Sequence, residues 1–193
     1  MRYDEPTQMK GETLMSEIIG FNTLKVGQRV KVKGRSDKSG SFLALEVSVK
    51  PSDEIVAIEG KVQNIDLQKN MLQMLNRTFV LPNDVEIKNV QRQSITLKEL
   101  KVGDVVKLKG TFSSATGFRP AKVKLQESKG YSIEELQGEI SQIDQVNKTL
   151  HVLGIPVVIN EKTEVEGFEH RERRERGDRP DRSQRPDRPP MRS

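Results

Sequence analysis

The chain has 193 residues, a net charge of +5 and 33% hydrophobic residues, with no Cys and no Trp. Absence of Cys excludes disulfides, thiolate catalysis and Cys-based zinc sites, and no segment approaches the roughly 18 apolar residues of a membrane span. Met1-Arg-Tyr-Asp-Glu-Pro6 lacks the apolar core of a secretory signal, so the expected location is cytoplasmic, with no membrane partner.

The charge is uneven. All 18 Lys precede residue 163, whereas nine of the 15 Arg lie in 169–193 beside six acids, leaving +3 there and +2 elsewhere. Residues 1–19 hold few apolar side chains and read as a weakly ordered N-terminal segment.

Beyond residue 19 the chain repeats itself. Leu24-Lys-Val-Gly-Gln-Arg-Val-Lys-Val-Lys-Gly34 returns as Leu100-Lys-Val-Gly-Asp-Val-Val-Lys-Leu-Lys-Gly110, with eight of eleven positions identical at an offset of 76. Glu59-Gly-Lys-Val-Gln-Asn-Ile-Asp66 returns as Gln137-Gly-Glu-Ile-Ser-Gln-Ile-Asp144 at an offset of 78. That register continues through Leu72/Leu150, Leu75/Leu153 and Val80/Val158. A fixed internal period constrains the fold before any other signal.

Each copy divides into a rear and a front half. In the rear half Val30 and Val32 alternate with Arg29, Lys31 and Lys33, as Val106 and Leu108 do with Lys107 and Lys109. Period two predicts half-buried strands, bent or ended at Gly34 and Gly110. Their partner strands are expected to run through Leu43, Leu45, Val47 and Val49, and through Ala121, Val123 and Leu125. The front half starts at 55–65 with a bend at Gly60, then strands at 71–75 and 78–81 around turns at Lys69-Asn70 and Asn76-Arg77. The second copy turns at Asn147-Lys148 and Gly154 before a strand at 157–159. Asn and Gly fit the positive φ of tight hairpins.

Short strands, two hairpins and a mid-strand Gly predict an all-β chain of two repeated small antiparallel OB-like barrels. The expected divisions are a rear half-unit at 20–53, a central barrel at 54–126, a front half-unit at 127–168 and a tail at 169–193. In the tail, Arg recurs every third residue among prolines, a composition that cannot offset its ordering entropy. It is expected to be disordered when free.

Gly60, Ile65 and Asp66, followed by Leu100, Val102, Gly103, Asp104, Val106 and Gly110, resemble the bacterial domain-of-unknown-function family 5666. The first copy departs by having Gln28 where the second has Asp104. The resemblance implies a repeated small β-barrel. It implies no activity, and it carries no site residues across.

Catalytic chemistry has little foothold. The two His are His151, in a strand pattern, and His170, in the tail; neither sits in a general-base arrangement. Asp66 and Asp144 each precede a hairpin and read as turn caps. No catalytic residue, metal ligand or cofactor is expected. The outward strand faces are the candidate site: Arg29, Lys31, Lys33, Lys107, Lys109, Lys122 and Lys124, with Phe42 and Phe118 sharing the outward phase. A basic groove with an aromatic ring suits single-stranded nucleic acid, because charge tracks phosphates and rings stack on bases. Arg173, Arg176, Arg179, Arg182 and Arg185 add non-specific affinity for RNA. The expected function is non-enzymatic binding of single-stranded nucleic acid, RNA before DNA. The alternative is an interaction module that pairs its strands with itself or another protein.

Overall fold

The computed structural model describes residues 19–128 and 133–167. Its strands are β1 (Arg29–Ser36), β2 (Phe42–Lys50), β3 (Val56–Lys61), β4 (Asn64–Asp66), β5 (Met71–Met74), β6 (Arg77–Val80) and β7 (Glu86–Lys88). They continue as β8 (Val105–Ser113), β9 (Gly117–Gln126), β10 (Glu134–Asp144), β11 (Thr149–Val152), β12 (Ile155–Val158) and β13 (Glu164–Glu166). Two 3-10 turns, Phe21–Thr23 and Leu97–Glu99, complete the secondary structure, and the described residues hold no α-helix. Among the described residues no helix is long and apolar enough to cross a membrane. The chain is all-β, as its alternation predicts.

Ten strands form one sheet in the order β1-β2-β12-β11-β10-β3-β8-β9-β7, with β13 on β2; β4-β5-β6 form another. Because β1 also pairs with β10, the strands β1, β2, β12, β11 and β10 close a hydrogen-bonded ring. The sheets do not divide into two clean antiparallel barrels. Hydrogen bonding runs without a break through both parts of the molecule, and β12 and β13 on β2, and β7 on β9, are parallel. The reason lies in β3 and β10. Each pairs along both edges, and they meet through Glu59↔Glu135, Ile58↔Leu136 and Ala57↔Gln137.

Val30, Val32, Val106 and Leu108 are buried as the alternation predicts. The partner strands depart from it. Lys33 pairs with Glu46 but Gly34 with Ala44, so Leu45 is bulged out of the ladder. Lys109 pairs with Lys122 but Gly110 with Pro120, which bulges Ala121 in the same way. An inserted residue reverses the facing of everything before it. Phe42 is therefore fully buried while Leu43 and Leu45 are exposed, and Phe118 is half-buried against the core. Neither ring projects outward as expected. The bulge needs glycine opposite it: a Cβ on Gly34 would lie 2.0 Å from the Leu43 carbonyl oxygen, and one on Gly110 1.9 Å from that of Arg119.

The turns at Asn70, Lys148 and Gly154 fall where they are expected, with φ of 49°, 49° and 71°, and the one expected at Asn76-Arg77 moves back by one residue. Leu75-Asn76 forms the β5–β6 turn with φ of 53° and 54°, and Leu153-Gly154 the β11–β12 turn with φ of 56° and 71°. A left-handed leucine costs about 1–2 kcal/mol. Both leucines are buried, over Gly60 and Gly138 respectively, and burying a leucine contributes about 1.5–3 kcal/mol. Packing outweighs local preference. Asp66 and Asp144 cap the preceding turns, each accepting two backbone N–H bonds at 3.0 Å.

Candidate binding groove

The basic strand faces predicted from sequence form a lattice of paired charges. Arg29 does not project: it is 7% exposed, and its guanidinium donates to the carbonyls of Asp53 and Ile55, at 2.6 Å each, fastening the β2–β3 connection. Lys33 meets Glu46 at 2.9 Å, Lys31 meets Glu135 at 3.0 Å, and Lys107 meets Glu135 at 2.9 Å and Glu59 at 3.3 Å. Lys122 pairs with Glu86 at 2.8 Å. Lys109 and Lys124 make no ion pair among the described residues. The tail arginines 173, 176, 179, 182 and 185 lie outside the described residues.

Glu135 sits at the middle of this lattice. Burial pushes its carboxyl up, but hydrogen bonds and charge from Lys107 and Lys31 outweigh that and hold it below the usual range. Burial likewise pulls Lys107 down, and Glu135 and Glu59 reverse the sign and raise it. A hydrogen bond to Glu46 raises Lys33. Charges so matched across neighbouring strands stabilise the strand register.

A different feature stands open. Between β6 and β9 lies a groove of about 550 Å³, walled by residues 77–80 and 116–120. Its floor is Ile58 with Leu153 and Ile155 of the β11–β12 hairpin. At the corresponding place in the ring, β12 pairs with β2 through Val157↔Phe42 and Val158↔Leu43. Phe79 and Phe118 occupy the positions of Val157 and Phe42, at the same offsets of 78 and 76. Their rings meet edge to face at 5.9 Å, and no ladder joins β6 to β9. Val80 is 57% exposed on this open edge. Arg77 lines the groove in the place of Ile155; its Nη2 donates to the Gly40 carbonyl at 3.0 Å, and its buried Nε has no partner.

Of the residues expected from sequence that lie among the described ones, only Phe118 reaches this groove. Arg77, Phe79 and Arg119 were missed. The signal available was the mismatch between copies, Phe79 against Val157 and Arg77 against Ile155. No group of His, Asp or Glu suited to hold a metal ion occurs among the described residues.

The model of one family, Domain of unknown function (DUF5666), matches residues 1–48 and 137–179. The chain carries DUF5666 sequence. Within the described residues the DUF5666 stretches hold β1, most of β2 and β10, β11 and β12, which are the strands of the closed ring, and β13. The positions quoted above for the resemblance, Gly60 to Gly110, lie between these stretches; their counterparts Gly138, Ile143, Asp144, Leu24, Val26, Gly27, Val30 and Gly34 lie within them. No curated protein matches the chain. Among solved structures it is similar to a fimbrial biogenesis protein, PilY2, of Pseudomonas aeruginosa, at 22% identity and a TM-score of 0.32, over 40% of this chain and 85% of that one.

Two outcomes follow from this geometry. A carboxyl held below its unfolded value of about 4.3 adds stability above that value and loses it as pH falls through the folded one. Glu135→Gln is expected to cost about 2 kcal/mol at pH 7, with the difference from the native chain shrinking as pH falls through the lowered folded value; urea midpoints at pH 7 and at successively more acidic pH measure it. A constant difference would deny the pairing its role. Phe79→Val is expected to let β6 approach β9 as β12 approaches β2, slowing amide exchange at Val80 and Arg119 by about tenfold or more. Unchanged exchange there would show that ring size does not hold the seam open.

Proposed function

We propose that this chain is a non-enzymatic interaction module of two OB-like units, one of which takes an extended peptide at the open seam between β6 and β9. The ring order β10-β11-β12-β2-β1 supports the OB-like reading: a bent first strand pairs with both the second and the fourth, and the third and fifth run parallel. The strands β3 to β9 follow that order within 54–126, with β3 and β4 together in the place of β10 and without the pairing of β6 with β9. On this reading the chain is a duplicated module. Its outer unit is assembled from 20–53 and 127–168.

The observation that carries the binding proposal is the pair of unladdered edges facing one another across an apolar groove. Unpaired strand edges are templates for another backbone, and two at once hold a guest strand from both sides. Phe79 is buried, so its face is closed to a stacking base. Replacing alternate backbone N–H groups of a guest by N-methyl removes its donors and leaves its charge intact. A blocked peptide alternating Val with Glu is expected to bind the full chain, and its N-methylated form about tenfold or more weakly, by fluorescence anisotropy. Equal binding of the two forms would refute strand addition.

Single-stranded nucleic acid, RNA before DNA, is the second reading. It is favoured by Lys109 and Lys124, which no acid neutralises among the described residues. Under it, Lys109→Gln with Lys124→Gln flattens the salt dependence of an RNA gel shift, by about one counterion per lysine removed. An unchanged slope would leave the charged face a structural one.

A further inference from the structure

We infer that the segment received in this seam carries carboxylates beside its apolar side chains. This rests on the strand-accepting reading and adds the chemistry of the partner.

The groove differs in charge from the lattice built on β1, β3, β8 and β10. On the sheet face Lys31, Lys33, Lys107 and Lys122 each meet a glutamate within 3.3 Å. Arg77 and Arg119 line the groove from its two walls, no carboxylate lines it with them, and neither arginine has an ion pair among the described residues. Two unneutralised guanidinium groups lining one groove favour an incoming anion.

Arg77 adds a second, independent mark. Its guanidinium is anchored by the Gly40 carbonyl at 3.0 Å, so it cannot swing freely into solvent. Its Nε is nevertheless buried with no acceptor. An orphaned buried donor is costly and is relieved when an acceptor arrives. Gly40 belongs to the β1–β2 loop, so the outer unit holds this arginine at the groove of the central one.

The guest is a peptide because only a backbone satisfies the strand edges on both sides. It is apolar on one face because Val80, Pro82 and Phe118, the accessible apolar residues of the lining, offer a hydrocarbon surface. Successive side chains of an extended strand point to opposite faces. A sequence alternating apolar and acidic residues therefore sets one series on that surface and brings the other to the rim, where Arg119 is exposed.

The test uses the full chain with blocked peptides in which Val alternates with Glu, with Gln or with Lys, read by fluorescence anisotropy at two salt concentrations. The Glu peptide is expected to bind about tenfold more tightly than the Gln peptide and more tightly still than the Lys peptide, with the preference falling as salt rises. Arg119→Gln is expected to remove most of that preference, and its exposed position keeps the fold intact. Arg77→Gln is compared after its urea midpoint is measured. Equal binding of Glu and Gln peptides, or preference for Lys, overturns the acidic partner while N-methyl sensitivity keeps the strand seam. Binding of none of the peptides overturns both. Displacement of the Glu peptide by single-stranded RNA, with no effect of N-methylation, assigns the groove to nucleic acid and overturns the peptide.

Discussion

The pairing of β3 with β10 is the constraint on which the molecule depends. Ile58 and Leu136 occupy the same position in the repeated sequence, 78 residues apart, and they face one another across this ladder. Each strand thus meets its own counterpart, which sets the two parts of the chain about a local twofold relation. Two further features follow. Charged rows on β1, β10, β3 and β8 come into one lattice, with Glu135 reaching lysines of β1 and β8 together. The β11–β12 hairpin is brought under the β6–β9 seam, where Leu153 and Ile155 form its floor. Without this ladder the groove would be a shallow gap in a sheet.

Closely related sequences give one closed seam and one open seam, and the difference traces to few residues. In the ring, Val157 beside Phe42 leaves room for β12 and β2 to come within hydrogen-bonding distance. In the other seam Phe79 replaces the valine, and two rings stand edge to face. Strands pair at about 4.8 Å, and a second ring at that place obstructs the approach. Each ladder bond forgone costs about 1 kcal/mol, while an edge-to-face pair returns about 0.5–1.5 kcal/mol beyond its burial. These terms are of similar size. A modest change in packing therefore decides which state a copy adopts, and an incoming strand recovers the missing bonds.

Glycine carries the bulge in both hairpins and the leucine turns in both front halves. Gly34 and Gly110 admit a carbonyl oxygen at a distance no Cβ tolerates, and Gly60 and Gly138 admit a leucine side chain. The Gln28 departure from Asp104 has no structural cost, because both side chains accept the backbone N–H of the lysine three residues earlier, at 2.8 Å.

Sequence alone determined the strand content, the inward Val30, Val32, Val106 and Leu108, and the turn-capping Asp66 and Asp144. All of these are local properties, written in alternation or in side-chain bonds spanning two or three residues. Tertiary structure decided the rest. The inward turn of Phe42 depends on a bulge created by close approach across a hairpin, and nothing in the alternation of 42–49 records it. Neutralisation of Lys31, Lys33 and Lys107 depends on glutamates from other strands, Glu135 among them, about a hundred residues from Lys31 and Lys33 in the chain. The open seam depends on whether two edges fit together, a matter of side-chain volume at Phe79 that acquires meaning only beside Phe118. Periodicity states which face a residue belongs to within its own strand; which neighbour that face meets is fixed by the pairing of distant segments.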